Sequence, residues 1–260
     1  MKNRASHGNF WSLIKKSFLF TFMALCLFDL VFAHEMWVGV QGGLSLPNIK
    51  GGDNPLSQGY SSRKAPFLGV MINFPISATL ALRTEINYTS QGGQRNGLQP
   101  ISADQVPIQL PPGTLLYANF NNETILDYLE IPLMLELSTQ GNLKLFVDAG
   151  AYAGYRVRAK TVTSGTSLIY LDPSGTMPVD PNLQVPFDAT TDVSQEINRL
   201  NFGLCGAVGI KIPFGRGLAI ASARFDYGLS NIQSHPEITG RNRTGALILS
   251  LGYFHAISRK

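Results

Sequence analysis

The segment Lys144–Lys160, KLFVDAGAYAGYRVRAK, alternates in side-chain character along its whole length. Its odd positions are apolar: Leu145, Val147, Ala149, Ala151, Ala153, Tyr155, Val157 and Ala159. Its even positions are Lys144, Phe146, Asp148, Gly150, Tyr152, Gly154, Arg156, Arg158 and Lys160. Successive side chains of a strand point to opposite faces, so a period of two predicts a long β-strand with one continuously apolar face. That face needs cover or lipid, and Asp148 on the other face needs a partner.

The pattern recurs along the chain. Leu80, Leu82, Thr84, Ile86 and Tyr88 alternate with Ala81, Arg83, Glu85, Asn87 and Thr89. Leu129, Ile131, Leu133, Leu135 and Leu137 alternate with Glu130, Pro132, Met134 and Glu136. Phe202 to Ile212, Ala221 to Leu229 and Leu247 to Tyr253 read the same way, and two weaker segments at about 36–46 and 66–76 bring the set to eight. Three connections are tight and rich in Pro, Gly, Ser and Asn: Pro75 to Ala78, STQGN and PFGRG. The other four, roughly 47–65, 91–125, 161–198 and 231–242, are long. Short and long connections take turns, so all the long loops lie at one end. The fold expected is all-β: an eight-stranded antiparallel up-and-down transmembrane β-barrel with short periplasmic turns and long extracellular loops. A charged fraction of 15% and 26 glycines agree with that class.

At the N-terminus, Lys15 and Lys16 precede the apolar run SFLFTFMALCLFDLVFA, which ends with small residues at Val31 and Ala33. This is the pattern of a signal peptide over 1–33, with cleavage before His34 and a barrel domain over 34–260; an uncleaved anchor is the alternative. Leu25 before Cys26 does not fit a lipoprotein signal. Residues 1–33 carry a net charge of +3 of the formal +4. The remaining +1 argues against a nucleic-acid partner. Only Cys205 follows the signal segment, so closure of the barrel has to replace disulfides as the source of stability.

These segments resemble the outer-membrane-protein β-barrel domain family common in Bacteroidetes-type bacteria, which includes porin-like and PorT-like members. GVQGGLSLPNI, FPISATLALRTEINYTSQGG, YLEIPLML, AGAYAGYRVRAK, NFGLCGAVGI, FDYGLSNI and RNRTGALILSLGY follow in the family's order over nearly the whole chain after the signal segment. YLEIPLML is the most specific of them. The resemblance implies the outer membrane of a bacterial cell, contact with its lipid and lipopolysaccharide, and insertion by the barrel assembly machinery. It also leaves room for an extracellular or periplasmic protein partner, and it fixes no biochemical role. Family barrels usually finish on an outward aromatic residue; here the last strand reaches Tyr253 and continues FHAISRK, which puts His255 and Ile257 in the next outward slots.

Two sets of residues could carry chemistry. Arg83, Glu85, Glu130, Asp148, Arg224 and Asp226 share the inward parity. They make either a binding or conduction site or a structural salt-bridge network filling a lumen too narrow for a water channel. Arg156, Arg158 and Lys160 share an inward parity nearer the loop end. They make either a basic vestibule for anions or lipopolysaccharide phosphates or intramolecular partners for loop 161–198, which carries Asp172, Asp180, Asp188, Asp192 and Glu196 and no Lys or Arg. Tyr88, Tyr155 and Tyr227 near the loop ends, with Phe74 and Tyr253 near the turn ends, match two interfacial aromatic belts. No nucleophile, base and orienting group can be assembled from Ser234, His235, Cys205, His34 and His255, so no enzyme is expected. No cofactor or metal motif stands out; calcium-loop spacing in particular is missing.

The reading expected is an outer-membrane barrel with a structural, adhesive or partner-recognition role carried by loops 91–125 and 161–198. The alternative is a small-solute porin or a transport or secretion accessory. A soluble carrier with an apolar interior is the third possibility, and the charged inward faces argue against it.

Overall fold

A computed structural model describes residues 36–52, 55–102 and 114–257. The signal segment expected at 1–33 lies outside the described residues. In chain order the strands are β1 Met36–Gly51, β2 Ala65–Pro75, β3 Leu80–Ser102, β4 Leu115–Ser138, β5 Lys144–Ser164, β6 Thr166–Tyr170, β7 Gln184–Pro186, β8 Ala189–Asp192, β9 Leu200–Phe214, β10 Gly217–Gly228 and β11 Asn242–Ile257. Eight of them form an antiparallel ring, with β5 pairing β9 across the three short strands. The ring closes where β1 pairs β11, from Met36 opposite Ile257 to Gly51 opposite Asn242. The eight-stranded barrel expected from the alternation is the fold.

The three tight turns, at 76–79, 139–143 and 215–216, lie at one end. On the outer face, Leu129, Ile131, Leu133, Leu135 and Leu137 of β4 stand beside Leu145 and Val147 of β5, all about half exposed. Tyr88 stands opposite Leu129, which stands opposite Tyr155, so the upper aromatics fall in one row across three strands. At the turn end the rings of Phe214 and Tyr253 meet edge to face, 6.4 Å apart. Arg83, Glu85, Glu130, Asp148, Arg224 and Asp226 are all buried inside. This apolar-outside arrangement is the reverse of a soluble carrier.

Two local irregularities have chemical causes. Between β3 and β4 the register passes from Thr84 opposite Leu133 to Asn87 opposite Glu130, skipping the residues between. Pro132 has no N–H to give to the ladder, and the Thr84 hydroxyl donates to its carbonyl at 2.9 Å. Between β4 and β5, Asp127 faces Arg158 while Tyr128 faces Arg156, which leaves Val157 as an extra residue. This bulge exchanges the faces of β5 beyond it. Val157 and Arg158 are both exposed and Ala159 is buried.

The lumen is layered. At the turn end, Met71, Phe146, Ile220 and Phe254 pack together with Trp37 and Leu218 against them. The charged groups lie above. At the loop end, Ile49, Leu126, Tyr128 and Ala159 from the strands pack with Ile197 and Ile232 from two loops. Those loops are tied across the mouth by hydrogen bonds from Asn198 N–H to the Ile232 carbonyl (2.7 Å) and from Ser234 N–H to the Glu196 carbonyl (2.8 Å). Apolar groups thus flank the charged ones at both ends, with Glu136 and Lys211 left facing a cavity at the turn end.

The segment read as loop 91–125 is largely strand, and 161–198 holds the end of β5 and the short strands β6, β7 and β8. β3 and β4 stay paired from Ser90 opposite Asp127 to Ser102 opposite Leu115, a hairpin rising about 40 Å at about 3.3 Å per residue. β5 continues beside it to Ser164, β8 pairs β5, β6 pairs β4 and β7 pairs β6. Ile101, Leu116, Ala118, Phe120 and Ile169 form a separate core there, joined by Val179, Val185 and Phe187. The Phe120 and Phe187 rings stack at 4.4 Å. The barrel therefore carries a packed extracellular platform in place of open loops.

Closure leaves little room between strands. A Cβ on Gly150 would lie 1.9 Å from the Leu133 carbonyl oxygen, a backbone atom that cannot move aside without breaking the β4–β5 ladder. In detergent the folded chain should run faster on a gel unboiled than boiled, and Gly150→Val should lose the fast band.

Candidate functional site

The lumen charges form one connected network. Arg83 pairs with Glu85 at 2.6 Å and Asp148 at 3.2 Å, and its guanidinium is 3.8 Å from Glu136. Arg224 bridges Glu85 (2.9 Å) and Asp226 (2.7 Å) from the facing strand β10. Gln41 and Asn87 each donate to Glu85 at 2.8 Å. Lys211 pairs with Glu136 and stands 5.0 Å from the Phe146 ring and 5.5 Å from that of Phe254. The space left between Gln41, Arg83, Glu85, Asp148 and Arg224 is too small for a water molecule.

Parity brought five of the six expected residues to this network, and the sixth sits apart. Glu130 is fully buried and accepts from Gln91 Nε2 at 3.2 Å, with no cation within 4 Å of it among the described residues. Sequence reasoning left out Glu136 and Lys211, although both lie on inward parities.

Arg156, Arg158 and Lys160 do not form a common vestibule. Arg156 is buried and donates to the Ser194 carbonyl at 2.8 Å. The bulge at Val157 turns Arg158 outward, where its side chain is 55% exposed and pairs with the buried Asp127 at 2.6 Å. The same exchange puts Lys160 on the Arg158 side. Asp127 also accepts from the Ser90 hydroxyl, which accepts from Arg63, which pairs with Glu123 at 3.0 Å. This chain from Glu123 to Arg158 ties β3, β4, β5 and the β1–β2 connection together at the mouth. No alternation marks it in the sequence, because Arg63 lies in a connection.

The acidic residues of 161–198 do not serve as partners for these cations. None of Asp172, Asp180, Asp188, Asp192 and Glu196 is in an ion pair among the described residues. Three of them cap backbone N–H groups instead. Asp172 accepts from the N–H groups of Ser174 (3.1 Å), Thr176 (3.1 Å) and Met177 (2.7 Å). Asp180 and Asp192 accept from Asn182 and Ser194. Hydrogen bonds from Ser174 and the neighbouring amides hold the Asp172 carboxyl well below the usual carboxylate range, and bonds from Ser194 lower that of Asp192. Asp180, Asp188, Asp192 and Glu196 are exposed on the platform, near exposed Leu98, Leu171, Met177 and Leu183. The result is a negative and partly apolar outer surface.

The nucleophile candidates stay apart. Cys205 is buried against Met134 and Tyr152 in the lumen, His235 is exposed in the β10–β11 connection, and His255 is exposed on the outer face of β11. Among the described residues, no group of three or more His, Cys, Asp and Glu side chains is placed to hold a metal ion.

An eight-stranded ring, an apolar outer band between aromatic rows and a charge-filled lumen define an outer-membrane β-barrel. The model of the outer membrane protein beta-barrel domain matches residues 32–234, and the chain belongs to that family and to the bacterial outer membrane. Comparison with curated proteins found no sequence match. Among solved structures, it is similar to Ail, the attachment invasion locus protein of Yersinia pestis, at 12% identity and a TM-score of 0.39, over 85% of this chain and 99% of that one. Neisserial surface protein A matches at 12% and 0.40, over 85% and 97%. The N-terminal β-barrel domain of Pseudomonas aeruginosa OprF matches at 12% and 0.35, over 84% and 97%.

Among the described residues Asp148 has no cation within 4 Å other than Arg83, whereas Glu85 also has Arg224. Arg83→Met should therefore cost on the order of 3–5 kcal/mol in denaturant unfolding from lipid vesicles, and adding Asp148→Asn should recover part of the loss. On the platform, the depressed Asp172 value means its contribution is complete above the unfolded value of about 3.9 and is lost only as pH falls through the folded one. Amide-exchange protection at Ser174, Thr176 and Met177 should survive at about pH 4 and disappear in Asp172→Ala.

Proposed function

We propose that this chain is a non-enzymatic, non-conducting outer-membrane barrel that recognises or adheres to a partner through its extracellular platform. The observation that carries the reading is the platform's separate core around Phe120 and Ile169. A surface held rigid well above the membrane is the arrangement that binding favours over passage of solute. Its exposed acids and the apolar residues beside them fit a partner with cationic and apolar groups. A Bacteroidetes-type affiliation, porin-like or PorT-like, is proposed from the ordered segments, of which YLEIPLML on β4 is the most specific.

The porin alternative requires a path past the Arg83, Glu85, Asp148 and Arg224 cluster, which leaves no water-sized space, and through the apolar plug at the mouth. Outside, Lys50 lies over the rings of Phe225 (5.2 Å) and Tyr227 (6.0 Å) at the upper aromatic row. Arg243 stands opposite it in register and is exposed. These cations suit the phosphates of outer-leaflet lipid or lipopolysaccharide, a contact secondary to the platform. Insertion by the barrel assembly machinery is proposed from the family alone, because the last strand departs from the family's aromatic ending with His255 and Ile257 after Tyr253.

In a planar bilayer the refolded protein should give no single-channel steps; steady conductance would overturn the non-conducting half of this reading. Cells displaying the protein should adhere to surfaces or to one another more than cells in which residues 166–192 are replaced by a short turn. Equal adhesion, with both forms giving the heat-dependent gel shift, would remove the platform from the function.

A further inference from the structure

The barrel also carries a cavity at the opposite, periplasmic end. About 220 Å³ opens between the 76–79 turn and the start of β5, lined by Trp37, Asn73, Glu136, Lys144, Lys211 and Phe254 among others. That is room for roughly seven water molecules at about 30 Å³ each, and the chain's own buried groups leave part of it unsatisfied. Asn73 is 5% exposed, and its side-chain N–H group, Nδ2, makes no hydrogen bond. This donor faces the cavity and is free to be met there by an acceptor from outside the chain.

The charges narrow the class of ligand. Lys211 is paired with Glu136, while Lys144 has no acidic partner within 4 Å among the described residues. Two lysines and one carboxylate leave a single net positive charge on the lining. A monoanion is matched by it, and a dianion such as phosphate meets the Glu136 carboxylate. The remaining lining is mixed: Ser77 and Ser138 add hydroxyls, and Trp37, Phe254, Leu218 and Pro75 form its apolar part. Convergent polar groups thus stand beside one apolar stretch of wall, the combination that orients a small amphipathic ligand.

We infer that this cavity binds a small organic carboxylate with an apolar body, its carboxylate taken by Lys144 Nζ and Asn73 Nδ2 and its hydrocarbon laid against Trp37 and Phe254. The group could be a free short-chain acid or the C-terminus of a periplasmic peptide; the chemistry at the site is the same. The inference is independent of what the extracellular platform binds.

Trp37 reports on the site directly. The sequence has two tryptophans, Trp11 and Trp37, so Trp11→Phe leaves Trp37 as the only indole. In that chain, refolded in detergent, hexanoate should change the Trp37 emission saturably, and 1-hexanol at the same concentrations should not. Lys144→Glu and Asn73→Leu should each raise the half-saturating concentration at least tenfold while keeping the heat-dependent gel shift. A leucine-ended tripeptide that acts only with a free C-terminus assigns the site to peptides; hexanoate acting alone assigns it to free acids. Equal responses to hexanoate and hexanol, no saturable response, or a response unchanged in both variants would overturn the inference.

Discussion

The pairing of β1 with β11 is the contact on which everything else depends. In a bilayer no water satisfies a strand's edge, and each unpaired N–H or C=O there costs several kcal/mol. A sheet of these strands has two such edges until Met36–Gly51 meets Asn242–Ile257, and none afterwards. Because the joined strands stand at opposite ends of the sequence, the ring cannot be completed until nearly the whole chain is present. Closure then fixes which residues share the interior. Arg83 on β3 reaches Asp148 on β5, and Arg224 on β10 reaches Glu85 on β3, only because the ring brings these strands within a side chain's length of a common axis.

A narrow ring filled with ionised groups is stable only if almost every group has a partner and water is kept from replacing it. The apolar layers serve the second requirement for the Arg83, Glu85 and Arg224 groups, around which no water-sized space is left. Phe146 and Phe254 at the turn end lie against the Arg83 and Lys211 cations, so the plug contributes cation–π contacts as well as cover. At the other end the cover comes from outside the membrane span, from Ile197 and Ile232 on connections laid across the mouth. The barrel interior and the extracellular structure are therefore mechanically one piece.

The parts of the fold legible in the sequence are those where the two faces of a strand meet different surroundings. From Lys144 to Tyr155 one face meets lipid and the other a packed polar interior, and the alternation is plain. From Ser90 to Ser102 and from Leu115 to Asp127, Gly, Asn and Gln are frequent, and the apolar face is interrupted. The same strands then read as loops although their ladder is unbroken. Gly92 and Gly97, at φ +116° and +98°, adopt conformations other residues avoid, and in sequence they look like turn residues. The lumen network was legible as a parity, but its partners were not, because pairing is set by register between strands far apart in the chain. The acidic residues of 161–198 meet a related limit: charge count favours ion pairs, while Asp172 and Asp192 are engaged by amides a few residues away.

The extra residue at Val157 has a consequence for how the chain can vary. A repeat of two has a phase, and this bulge resets it at the level where lipid gives way to water. Below it, alternate residues of β5 answer to the bilayer; above it, the opposite set answers to the plug and the platform. Changes in length within the β6–β7 connection leave that phase untouched, whereas one residue gained or lost in β5 exchanges greasy and polar faces over every position that follows. The molecule can therefore vary its outward surface freely in size, but the boundary beneath it tolerates variation only in steps of two.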